Sequence, residues 1–160
     1  FTTVLGIDEN KDMLKESKKF EDNNIKTQIG DVMSFEGNYD TIISLNVLYT
    51  LNNPIEFLRN TYMNLNKTGT LIISSPTKSL DMKKLTYLID LEFNASVNDN
   101  LKDYYQTFKD CNFYLASKIG FNPKLFDMNE IISILRDIGY KISNTQMNYL
   151  NQNFTVIAKK

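Results

Sequence analysis

Two short apolar runs, each closed by a carboxylate, set the strongest limit on how this chain can fold. Val4-Leu5-Gly6-Ile7-Asp8 comes first, and Ile29-Gly30-Asp31 follows after a stretch of helical character. A continuous apolar run is what a strand covered on both faces requires, as in a parallel sheet. In an open parallel sheet, ligands bind just outside the carboxyl ends of the strands, where a carboxylate can reach the hydroxyls or base of a nucleoside. Two such acids in succession point to a nucleoside cofactor. A plainer reading stands beside this one: Asp8 caps the helix that begins near Lys11, and Asp31 opens a turn.

The alternation continues along the chain. Residues 2–8 are expected to form a strand and 10–20 a helix, whose apolar positions Met13, Leu14 and Phe20 are sparse enough to place it on the surface. Asp22-Asn23-Asn24 ends that helix. Strands at 25–30 and 39–45 follow, separated by a loop through Ser34-Phe35-Glu36-Gly37-Asn38. Pro54 suits a first helical turn, and Ile55, Phe57, Leu58, Tyr62 and Leu65 continue from it at helical spacing up to Asn66-Lys67-Thr68-Gly69. Residues 70–75 make a fourth strand. Strands alternating with helices imply right-handed crossovers and a doubly wound, mostly parallel sheet.

From 77 to 126 the pattern changes to helical segments rich in aromatics, among them Tyr87, Phe93, Tyr104, Tyr105, Phe108, Phe113, Tyr114, Phe121 and Phe126. This stretch reads as a helical insertion after the fourth strand. A helix at 129–138 presents Ile131, Ile132, Leu135 and Ile138 on one face, with Gly139 as its cap. Two last runs, 141–150 and 154–159, flank Asn151-Gln152-Asn153. So short a loop makes them an antiparallel hairpin.

With 160 residues, 42% of them hydrophobic, the chain suffices for one domain, 1–160, with a core of its own. Its 18 basic and 19 acidic residues are interspersed, so no basic face for nucleic acid is expected. No apolar stretch approaches bilayer length, and no membrane partner is expected either. Cys111 is the single cysteine and can form no internal disulfide, which suits a reducing, cytoplasmic setting. The absence of histidine rules out a histidine base and a histidine metal site; no metal is expected. The chain opens on Phe1 and enters a strand at once, so an upstream segment is expected.

The order of these pieces resembles a class I S-adenosylmethionine-dependent methyltransferase, of Rossmann-like fold. "VLGIDENKDML" resembles that family's second strand and following helix. "GDVMSFEGNYDTIISLNVLYTLNNP" resembles the third strand through the loop after the fourth, and "LNKTGTLIISSP" the fifth. The resemblance implies that Asp8 accepts hydrogen bonds from both ribose hydroxyls, which a carboxylate with two oxygens and no donor can do. Glu9 and Asn10 would line the same edge. Asp31 would accept from the adenine amino group, Val32 would meet the ring, and Met33 would pack nearby. Asn46 would face the methionine portion of S-adenosyl-L-methionine, with Val47 and Tyr49 near its sulfonium. The insertion would be a lid over a small-molecule substrate, touched by Tyr49, Tyr104, Tyr105 and Phe108.

One departure from the family is large. The first strand and its glycine-rich loop would precede Val4, and no Gly-x-Gly occurs in the chain. In the family that strand lies between the second and fourth, so the sheet is expected to show a defect between 2–8 and 39–45, either an open gap or a direct pairing. Two other readings compete: a non-catalytic methyltransferase-like binding subunit, and a nicotinamide-dependent dehydrogenase. The Gly30-Asp31 pair and the closing hairpin disfavour the dehydrogenase.

Overall fold

The computed structural model describes residues 2–95, 110 and 124–160. β1 (Val4–Asp8) and β2 (Ile25–Ile29) pair in parallel, from Val4 opposite Ile25 to Asp8 opposite Ile29. Between them runs α1 (Lys11–Ser17), extended by a short 3₁₀ turn. Asn10 starts α1, its side-chain oxygen accepting from the backbone N–H groups of Asp12 and Met13.

The second sheet contains β3 (Tyr39–Leu45), β4 (Leu65–Pro76), β5 (Lys141–Asn148) and β6 (Asn153–Lys159), in the spatial order β3-β4-β6-β5. β3 and β4 are parallel; β6 is antiparallel to both β4 and β5. The closing hairpin therefore joins the sheet beside β4, as expected. The single sheet of the sequence reading is in fact two, and among the described residues no ladder joins β1 to β3. Of the two defects expected there, the open break is the one found.

Two boundaries also differ from the sequence reading. β4 begins at Leu65 rather than 70, because Leu65 already pairs with Tyr39. Thr41 then pairs with Thr70, so the expected turn at 66–69 is an irregularity within the strand. The first hairpin strand ends sooner, at Asn148, and Tyr149 and Leu150 belong to the turn.

α2 (Pro54–Asn64) and α4 (Met128–Ile138) cover one face of the larger sheet. α4 opens with a capping box between Asp127 and Glu130 and closes on Gly139 at φ 117°. Phe57 and Leu58 of α2 and Ile131 and Leu135 of α4 pack against Leu71, Ile73, Phe154, Val156 and Ala158. Strand alternation sends those side chains to the covered face and leaves Ile43 and Leu45 exposed on β3. α3 (Met82–Ala95) begins the expected insertion. Residues 96–109 and 111–123 lie outside the described residues, and with them Tyr104, Tyr105 and Phe108.

Candidate functional site

Parallel pairing determines where the two acids stand. β1 and β2 run in the same direction, so their carboxyl ends share one sheet edge, and the N–H of Gly30 donates to the carbonyl of Asp8 at 3.1 Å. Asp8 and Asp31 flank that bond. Gly30 permits the close approach, since a Cβ there would come within 3.2 Å of Ile7 Cγ2.

Each carboxylate also shapes its own loop. Asp8 Oδ1 accepts from the N–H of Asn10 at 2.8 Å, and Asp31 Oδ1 accepts from the N–H of Met33 at 2.7 Å. Asp31 thus opens a turn, closed by the Ser34 N–H on the Asp31 carbonyl at 3.0 Å. Asp8, by contrast, is not the helix cap: Asn10 is, and Asp8 holds the backbone of the cap. Among the described residues, Oδ2 of neither acid has a hydrogen-bond partner. A carboxylate steered through one oxygen keeps acceptor capacity on the other.

The remaining site residues divide. Glu9 is exposed beside Asp8. Val32 and Met33 are partly buried against the core of the larger sheet, together with Phe35. That stretch is pinned from α2: Asn60 Nδ2 donates to the carbonyl of Met33 at 3.2 Å, and Asn64 Nδ2 to that of Phe35 at 3.2 Å. The Asn64 side-chain oxygen accepts from the N–H of Gly37 at 2.7 Å.

On the larger sheet, Asn46 ends β3 in the left-handed region at φ 57°. Its N–H donates to Ser74 O at 2.8 Å, and its Oδ1 accepts from Asn153 Nδ2 at 3.3 Å. Ser74 Oγ donates in turn to Asn153 Oδ1 at 2.8 Å. Val47 follows, half-buried, its carbonyl accepting from Thr50 N–H and Oγ. Tyr49 is half-buried, and burial pushes its phenol above the ordinary value, which suits it to donating rather than abstracting a proton. Ser74 and Asn153 were not legible as site residues, because one sits inside an apolar strand and the other inside an expected turn.

A family model described as a methyltransferase domain matches residues 1–143. Among solved structures, a Haloferax volcanii complex between the Trm112 methyltransferase activator and a candidate methyltransferase contains a chain that superposes with a TM-score of 0.70 at 10% identity, over 99% of this chain and 72% of that one. Magnesium protoporphyrin IX methyltransferase from Synechocystis, with bound SAH, gives 0.65 at 20% identity, over 99% of this chain and 64% of that one. An S-adenosylmethionine-dependent methyltransferase from Mesorhizobium loti gives 0.66 at 13% identity, over 99% and 81%. At such identities the likeness shows the fold alone, which is Rossmann-like. No curated protein matches the sequence significantly.

Proposed function

Because the chain belongs to the methyltransferase-domain family over residues 1–143, we propose that it forms the nucleoside-binding part of an S-adenosylmethionine-dependent methyltransferase acting on a small molecule. The observation that carries this reading is the pair Asp8 and Asp31, at one edge of a parallel strand pair, each with one oxygen engaged by its own loop. That pair of acceptors fits a nucleoside, whose ribose hydroxyls and amino group can all donate. Asp8 accepts from the diol and Asp31 from the adenine amino group. The Val32 backbone meets the ring while its side chain stays in the core.

When bound, the sulfonium supplies an activated methyl group. The chain's own part is to place and enclose. Asn46, held by Asn153, turns an amide toward the methionine portion, and Val47 and Tyr49 shield the reacting atoms from water. Positioning of this kind can provide most of the acceleration of an in-line displacement. A reducing, cytoplasmic setting for the lone Cys111 goes with this reading.

The break between β1 and β3 belongs to the same proposal: a further strand, carrying a glycine loop, fills it and completes the methionine end of the site. Calorimetric titration with S-adenosylmethionine tests this on two forms, the 160-residue chain and the chain extended by the residues encoded before Phe1. Weak or no binding by the first and clear binding by the second is expected. Tight binding by the short form would show that the cofactor is placed wrongly. The break also favours a second reading, a non-catalytic binding subunit, for which neither form binds the cofactor.

A further inference from the structure

The turn joining β5 to β6 is strained and firmly held. Tyr149, Leu150 and Asn151 have φ of 49°, 49° and 67°, three consecutive non-glycine residues in the left-handed region. Side chains adopt that region rarely, and such backbone persists only where the surroundings over-determine it. Gln152, 4% exposed, supplies much of the restraint. Its Oε1 accepts from the N–H of Asp81 at 2.6 Å, its Nε2 donates to Leu150 O at 3.3 Å, and its carbonyl accepts from the N–H of Thr77 at 3.1 Å. Yet the residues so held, Tyr149 and Leu150, are 57% and 61% exposed. Burial does not account for two large apolar side chains in a turn that glycine or asparagine would form with less strain.

Beside this turn lies a cleft of about 710 Å³, walled by Leu45, Ser74, Leu88, Tyr149, Leu150 and Asn153. Its floor is one cross-strand row, in which Leu45 pairs with Ser74, Ser74 with Thr155, and Thr155 with Gln146. None of the described residues lining it is charged, although 23% of the chain is. Among the described residues, then, a charged ligand finds no counter-ion in the cleft, and any of its hydration lost there goes uncompensated by them. The cleft's polar feature is the Ser74–Asn153 pair, which continues to Asn46 at the end of β3.

We propose that this cleft holds the methyl acceptor, and that the acceptor is an uncharged molecule with an apolar body and a polar group, gripped by Tyr149 and Leu150 at one end and by Asn153 at the other. The proposal rests on the methyltransferase reading, through the placement of Asn46 beside the reacting methyl.

Three probes of matched shape test it by fluorescence titration: neutral 2-naphthol, anionic 2-naphthoate and cationic 2-naphthylmethylammonium. Naphthol is expected to bind at least about tenfold more tightly than either ion. Leu150→Asp should weaken naphthol binding by about tenfold or more, the scale of one lost apolar contact. In the extended form of the protein, the S-adenosylmethionine titration should be unchanged in that variant. Leu45→Asp, at the β3 end of the floor row, provides a second variant, and circular dichroism verifies that each is folded. Equal binding of the three probes, or naphthol binding indifferent to both folded variants, overturns the cleft as acceptor site while leaving cofactor binding intact. Naphthol binding in a protein whose extended form never binds S-adenosylmethionine overturns the methyltransferase reading, and the acceptor assignment with it.

Discussion

Glu21 shows how one side chain can steady the middle of a strand. One of its oxygens accepts from both the N–H and the hydroxyl of Thr27, at 2.6 and 2.5 Å. These bonds, the hydroxyl's first, hold its carboxyl below the ordinary value of 4.5. A carboxyl lowered on folding adds stability that is complete above its unfolded pKa and is lost as pH falls through the folded one. Amide exchange at Thr27 should therefore accelerate as the solution is taken below the ordinary carboxylate range, and Glu21→Gln should flatten that dependence. Asp8 is the residue on which the cofactor reading turns. In the extended protein, Asp8→Ala should weaken S-adenosylmethionine binding by about 1–3 kcal/mol, the usual effect of losing a buried hydrogen-bond partner; calorimetry reads it directly. Both acids were legible in sequence because an apolar run ending in aspartate is a local signal. The left-handed backbone of Asn46, Tyr149 and Leu150 was not. No glycine marks these positions, and contacts from Asp81, Thr77 and Asn153, distant in the chain, impose it.

Among the elements, α4 was the most legible, since its apolar period, its Asp127–Glu130 box and its Gly139 cap are all local. Gly139 also carries a tertiary constraint, because a Cβ there would stand 3.0 Å from the hydroxyl oxygen of Tyr62. With φ at 117°, Gly139→Ala should destabilise the protein by about 1–3 kcal/mol, measured as a shift of denaturation midpoint at constant slope. The early start of β4 was hidden because Asn66-Lys67-Thr68-Gly69 carries a turn's composition inside a strand. Only the pairing of Leu65 with Tyr39 reveals it.

At the scale of the molecule, the division into two sheets governs stability. The buried hydrophobic residues of the main core belong to the larger sheet, its helices and the short segments joining them, where Leu48 and Tyr140 lie, whereas in β1, α1 and β2 only Leu14 is buried. Apolar burial is the main stabilising term in folding, so the smaller sheet should open more readily. Hydrogen exchange should find the amides of β1 and β2 less protected than those of β4 and β6, by local opening below the global free energy. Uniform protection across both sheets would contradict that division. The alternation of strands and helices was readable from periodicity, but the separation was not, since pairing depends on an edge that no local pattern encodes.

Asn60 and Asn64 grip the loop after β2 by the carbonyls of Met33 and Phe35. A hold on backbone is indifferent to which side chains the loop carries. The exposed positions Ser34 and Glu36 can therefore drift in sequence, or be randomised in a library, while Asp31 keeps its station, and a change at Asn64 would free Gly37 while Asn60 still held Met33 and Phe35.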